Sequence, residues 1–131
     1  MSKKIKRVYC AGLLTPRGEW DPNPAIDYLM NARNMIRDGV ELLLAGFIPY
    51  VPALDFEIFL LLRGNERIDE KTIKEYSLSW LEVSDAVLLG KNWFGSLGVG
   101  KEMDLAKERN IPIFACIEDI IKYNQGVQDE G

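Results

Sequence analysis

Four short apolar runs, at residues 5–11, 47–52, 86–90 and 111–117, alternate with longer stretches whose apolar side chains recur every three or four residues. That alternation leaves the chain few ways to fold. Strands that follow one another across intervening helices run parallel, and a parallel sheet has to be covered on both faces. In such sheets ligands bind beyond the carboxyl ends of the strands. The loops after residues 11, 51 and 90 are therefore where function is expected.

The first run ends at Gly12 and is apolar enough for a buried strand, with Lys3, Lys4, Lys6 and Arg7 reading as a solvated strand entrance. From residue 24 to 45, Ile26, Leu29, Met30, Ile36, Val40, Leu43 and Leu44 keep helical spacing; Pro24 suits the first turn and Gly46 the position past the last. Pro49 and Pro52 cannot donate to a ladder, so the second run is expected at a sheet edge. A short helix is expected over 55–63, broken at Gly64-Asn65, and a longer one over 69–83 with Ile73, Tyr76, Trp80, Leu81 and Val83 as its apolar stripe. Tyr76 and Trp80 are expected in the core, not as a base-stacking platform. A last helical turn is expected over 118–123. The whole reads as an α/β protein: a small flavodoxin-like, Rossmann-like parallel sheet of four to five strands with helices on both faces. One domain over 1–123 is expected, with a loose tail over 124–131.

A chain of 131 residues can bury a sizeable core. Its net charge of −4 and the lack of a long basic tract argue against a general nucleic-acid or anionic-membrane binder. No apolar run approaches the roughly 18 residues of a membrane span, and no signal peptide is evident. Cys10 and Cys116 lie in apolar segments without CxxC spacing, as reduced, buried thiols do, so a cytoplasmic protein is expected. Histidine is absent, which removes every Ser–His and Cys–His pair and the commonest metal ligand. Carboxylates must then carry most of any chemistry.

The stretch from Asp85 to Ala106 reads as a strand, a glycine-rich turn and an amphipathic helix. Backbone N–H groups in such a turn, with the positive helix end behind them, can cradle a phosphate. Glu102 lies about 60° from Val99 around that helix, at the border of its buried face. It is either an acidic residue that favours the helix dipole by roughly 0.3–1 kcal/mol or a reacting carboxylate. In the loop after residue 11, Arg17 is an anion contact or an ordinary exposed arginine.

Four motifs, taken in order, resemble one family. They are Val8-Tyr9-Cys10-Ala11-Gly12; Gly46-Phe47-Ile48-Pro49-Tyr50-Val51-Pro52; Trp80-Leu81 with Asp85-Ala86; and Ser96-Leu97-Gly98-Val99-Gly100-Lys101-Glu102. Together they resemble the nucleoside 2-deoxyribosyltransferase superfamily. The last is most similar to the deoxynucleoside 5′-monophosphate N-glycosidases.

The resemblance implies chemistry at the anomeric carbon of a nucleoside or nucleotide, with no metal or organic cofactor, in a homodimer. It gives Glu102 the part of a nucleophile that forms a glycosyl-enzyme intermediate, resolved by water or by a second base. Ser96 and Gly98 match the phosphate turn, Tyr9 matches a tyrosine at the sugar, and Gly12, Arg17 and Asp55 are further candidate substrate contacts. Asn31 matches a recurrent asparagine of related short proteins and carries no assigned role.

A glutamate of ordinary pKa, about 4.3, is ionised at pH 7 and needs little tuning as a nucleophile. Departure of the base is harder and normally needs a second carboxyl to protonate it. Relatives carry an aspartate just before the Leu-x-Trp-Leu segment, whereas this chain has Ser77, which is no general acid at neutral pH. Asp55 and Glu57 are the first substitutes to test; Glu75 points about 200° away around the helix. Besides a monophosphate glycosidase or a deoxyribosyltransferase, two readings stay open. One is cleavage of an NAD-like substrate, whose cationic nicotinamide departs unprotonated. The other is a nucleotide-binding sensor that turns nothing over.

Overall fold

The structure, a computed structural model, describes residues 3–127. Within them β1 (Arg7–Ala11), β2 (Ile48–Tyr50), β3 (Ala86–Leu89) and β4 (Ile113–Phe114) form one parallel sheet in the order β2-β1-β3-β4. Helices α1 (Pro24–Leu44), α2 (Glu70–Glu82), α3 (Leu97–Glu108) and α4 (Ile117–Gln125) connect and cover it, and a 3-10 segment, Pro52–Leu61, follows β2. This is the flavodoxin-like α/β arrangement, with four strands.

The two faces of the sheet separate by sequence parity. Val8 and Cys10 of β1, with Ala86 and Leu88 of β3, pack under α1 and α4 through Ala32, Met35, Leu42 and Ile120. Tyr9, Ala11, Val87 and Leu89 face α2 and α3 through Leu81, Val99 and Ala106. Strand side chains alternate between faces, so neighbouring residues of β1 serve different cores. The prolines of β2 sit on an edge strand, as expected.

Local signals explain the ends of the elements. Asn23 caps α1 through Ala25 N, and Gly46 follows its C-cap at φ 92°, a conformation that costs an L side chain steric strain. Asp69 caps α2 through Thr72 N. At the entrance of β1, the Asp85 carboxylate accepts the amides of Lys6 and Arg7, each at 2.9 Å. Gly39 is buried in α1, where an added Cβ would lie 2.6 Å from Val51 Cγ2. Only glycine lets β2 and its following segment approach α1 so closely.

Several elements differ from expectation. The segment after β2 is a 3-10 helix over 52–61, because its apolar residues occupy every side and offer no single stripe to a core. The fourth run contributes only Ile113–Phe114 to the sheet, and α4 begins directly after Cys116. Tyr76 and Trp80 are 43% and 45% exposed, and the core contact of α2 falls to Ile73 and Leu81. Asn124, expected in a loose tail, exchanges two hydrogen bonds with the Ile5 backbone at 2.8 and 2.9 Å. Residues 128–131 of that expected tail lie outside the described residues. Among the described residues, no helix is long and apolar enough to cross a membrane.

Candidate functional site

The strand order reverses between β1 and β3, where one chain exit leads to α1 and the other to α3 on opposite faces. In open α/β sheets ligands bind beyond such a switch point. Gly12 and Gly90 lie side by side there: Gly90 N donates to Ala11 O at 2.7 Å, and a Cβ on Gly90 would stand 3.4 Å from Gly12 Cα.

Two loops rise beyond it and are fastened to each other. The buried Asp27 carboxylate, in the first turn of α1, accepts the amides of Arg17 and Gly18 on Oδ2 and of Trp20 on Oδ1 at 2.7–3.0 Å. Those backbone donors, that of Trp20 foremost, hold its pKa below the usual carboxylate range. Asn31, also buried, accepts from Trp20 Nε1 and Asn92 Nδ2 on Oδ1 and donates to the carbonyls of Leu14 and Thr15. Asn31 thus ties the loop after β1 to the turn after β3. Arg17 reinforces the tie, because its guanidinium donates to the carbonyls of Phe94 and Asn92 and pairs with Glu19. Arg17 therefore shapes the glycine turn and brings a positive charge against Gly95, whose φ is 81°.

The turn ends at Ser96, the N-cap of α3, whose Oγ accepts from Val99 N at 3.2 Å. The first intrahelical bond is Gly100 N to Ser96 O, so the amides of Leu97 and Gly98 precede the ladder and remain available to an anion. Around Gly98 there is room, with Ser96 Oγ 3.8 Å from an added Cβ.

Glu102 stands on the same helix, on the side facing Tyr9. With Ser96 as N-cap it is the sixth helical residue, beyond the first turn where the dipole acts most strongly. Burial therefore dominates. It pushes the Glu102 carboxyl up to about 7, opposed only by a hydrogen bond from Tyr9. Tyr9 is itself 1% exposed, and burial, then the Glu102 charge, raises its pKa so that the phenol keeps its proton and donates. The expectation that Glu102 needs no tuning thus gives way to a carboxyl whose charge changes near neutrality.

A second carboxyl lies across an aromatic stack. Tyr9 stacks on Tyr50 with ring centroids 5.6 Å apart, and Tyr50 on Trp80 at 5.8 Å. The Tyr50 hydroxyl donates to Asp55 Oδ2 at 2.5 Å, and the Ser77 hydroxyl reaches the same oxygen at 2.7 Å. Two tyrosine–carboxyl pairs thus lie back to back through their rings. Of the proposed substitutes for the absent acid, Asp55 is 9% exposed and joins this cluster. Glu57 is exposed, and Glu75 lies on the surface beside Lys71.

Tyr50 and Asn31 are the site residues that periodicity could not have singled out; only the motif around Tyr50 and the match at Asn31 pointed to them. Burial pushes the Cys10 thiol up to about 12, which leaves it protonated. Among the described residues no group of three or more Cys, Asp or Glu side chains is disposed to hold a metal ion. No protein-family model matches this chain, and no curated protein matches it in sequence.

Proposed function

We propose that this protein is an N-glycosidase of the nucleoside 2-deoxyribosyltransferase type that cleaves a 2′-deoxynucleoside 5′-monophosphate. The observation that carries the reading is the placement of a candidate anion cradle and a half-buried carboxyl on one helix. Gly98 and Glu102 are four residues apart, about 6 Å along the axis, the scale of a furanose ring with its 5′ carbon. Phosphate at the amides of Leu97 and Gly98 sets the anomeric carbon near Glu102. The Ser96 hydroxyl and the Arg17 charge support the cradle, Gly12 is a further substrate contact at the end of β1, and Tyr9 orients the Glu102 carboxylate at the sugar.

Glu102 attacks as the carboxylate, so activity is expected to rise as pH increases through about 7, where that group ionises. Water or a second base then resolves the glycosyl ester, which separates hydrolysis from deoxyribosyl transfer. No metal or organic cofactor enters this scheme. A cytoplasmic location goes with it, since Cys10 and Cys116 are both free thiols. So does a homodimer, supported by Leu29, Leu43 and Leu44 of α1, each more than 60% exposed. The sensor reading rested on Ser77 standing where relatives have an acid. Asp55 beside it supplies a carboxyl at that place, which weakens the case for a protein without turnover.

The test is release of free base from deoxynucleoside and ribonucleoside monophosphates, free nucleosides and NAD, by the wild type and by Glu102→Ala. Base release from a deoxynucleoside monophosphate that the mutant loses is the expected result. Release from NAD alone would move the reading to a glycohydrolase. Equal rates on free nucleosides would remove the phosphate cradle from the scheme. Nucleotide binding without release would leave the sensor.

A further inference from the structure

Departure of a neutral nucleobase needs a proton, and the position that resemblance assigns to the acid holds Ser77. We propose that Asp55, carried by the 3-10 segment after β2, is the acid that protonates the leaving base, and that Ser77 and Tyr50 are positioning residues that hold it there. The inference rests on the glycosidase reading and deepens it.

Both hydrogen bonds to Asp55 fall on Oδ2, and Oδ1 accepts none from the described residues. One oxygen is fixed and the other is left to exchange a proton. Ser77 Oγ lies 2.7 Å from Asp55 Oδ2 and 3.2 Å from Ile73 O, so the contact to Asp55 is the shorter of the two its single proton can serve. The serine thus occupies the helical position of the absent acid and recruits a carboxyl 22 residues away in sequence. The segment bearing Asp55 is itself held: Ala53 N approaches Met35 Sδ at 3.4 Å, Leu54 N donates to Val51 O, and Val51 packs over Gly39. The stack of Tyr50 on Tyr9, with ring centroids 5.6 Å apart, links the tyrosine that holds Asp55 to the tyrosine that faces Glu102.

The steps balance with water as the only co-reactant. A Glu102 carboxylate oxygen bonds to C1′ as the C1′–N bond breaks; its electron pair stays with the base, which takes the proton from Asp55 Oδ1. Water then attacks C1′, Asp55 Oδ1 recovers a proton from it, and the ester electron pair returns to Glu102. The products are the free base and 2-deoxyribose 5-phosphate.

The test compares two leaving groups in the full-length protein: a deoxynucleoside 5′-monophosphate, and 4-nitrophenyl 2-deoxyriboside 5-phosphate, whose phenolate departs without a proton. For Asp55→Asn, kcat/KM on the nucleotide is expected to fall by about 10²–10⁴-fold and on the aryl substrate by at most about tenfold. A burst of 4-nitrophenolate is also expected, because the step that needs Asp55 as base is slowed. Ser77→Ala and Tyr50→Phe, which keep the fold's packing and the ring stack, should repeat the selective loss in milder form, so a poorly folded Asp55→Asn would not end the test. Equal losses on both substrates, or an unaffected nucleotide rate, would overturn the proposal. Phenolate release by a wild type that frees no base would also overturn it while sparing the glycosyl chemistry. Release of neither would bring down the glycosidase reading itself.

Discussion

Two buried carboxylates, Asp27 in the first turn of α1 and Asp55 in the segment after β2, are used in opposite ways. Asp27 accepts three backbone amides of one loop and has both oxygens occupied. Asp55 accepts two side-chain hydroxyls on one oxygen, from β2 and from α2. A carboxylate saturated by amides fixes a loop and keeps its charge; one held by a single oxygen keeps the other available. Burial alone does not mark a reacting acid. The distribution of donors over its two oxygens separates the two cases.

On the proposed glycosidase chemistry Glu102 belongs with Asp55, and its replacement has the largest expected effect. Glu102→Gln should lower kcat for base release by about 10³-fold or more, as loss of a nucleophile does. It should also stabilise the fold on the alkaline side. The folded pKa of about 7 exceeds the ordinary 4.5, so the wild type loses stability as pH rises between these values. At pH 8 the gap to the variant should approach roughly 3 kcal/mol, and below pH 4.5 it should close; denaturant midpoints at the two pH values measure it.

Next in size, Ser77→Asp sets a second carboxyl beside Asp55. It restores a carboxyl at the position that resemblance gives to the acid, so nucleotide cleavage should rise a few-fold while the aryl substrate reacts at an unchanged rate. The ratio of kcat/KM on the two substrates checks this, and an equal gain on both would separate that carboxyl from the leaving base. Asp27→Asn should do neither. It removes the charge that three amides face, lowering Tm by several degrees and slowing nucleotide and aryl substrates by the same factor, without leaving-group selectivity. Its stabilising effect has the opposite pH sign to that of Glu102, because the folded pKa is depressed. The contribution is present above the ordinary carboxylate range and fades on acidification through the folded value.

The smallest effect is expected at the cradle. Gly98→Ala meets no atom closer than 3.8 Å, and alanine favours a helix over glycine by about 1 kcal/mol, so Tm should hold or rise. KM for the monophosphate should increase a few-fold while that for the free nucleoside stays put. A shift in both would mean that Gly98 matters for the helix and not for phosphate.

The sequence was legible where one element carries its own signal. Helical spacing with Pro24 and Gly46 marked α1, the two prolines marked the edge strand, and the run into Gly95, Ser96 and Gly98 marked the turn that opens α3. Glu102 was visible by its angle from Val99. Its raised pKa was not, because that comes from burial in the folded protein, against which the hydrogen bond from Tyr9 of β1 works. The clasp of Asn31, the union of Tyr50, Asp55 and Ser77, and the partial exposure of Trp80 each join separate elements, and no periodicity records such a meeting.

Asn124 and Ile5 form a hydrogen-bonded clasp between residues 119 apart, joining α4 to the lead-in of β1. The first strand of the sheet is thus secured by a segment that a ribosome delivers 119 residues later. Non-local closure of this kind is slow, since the loop entropy is lost before the contact forms. A nascent chain would hold Tyr9 and its strand in a loosely paired state until residue 124 emerges, and chaperone dependence during synthesis should be greatest just before that point. A single asparagine far from the chemistry would then govern how quickly the protein becomes competent to bind.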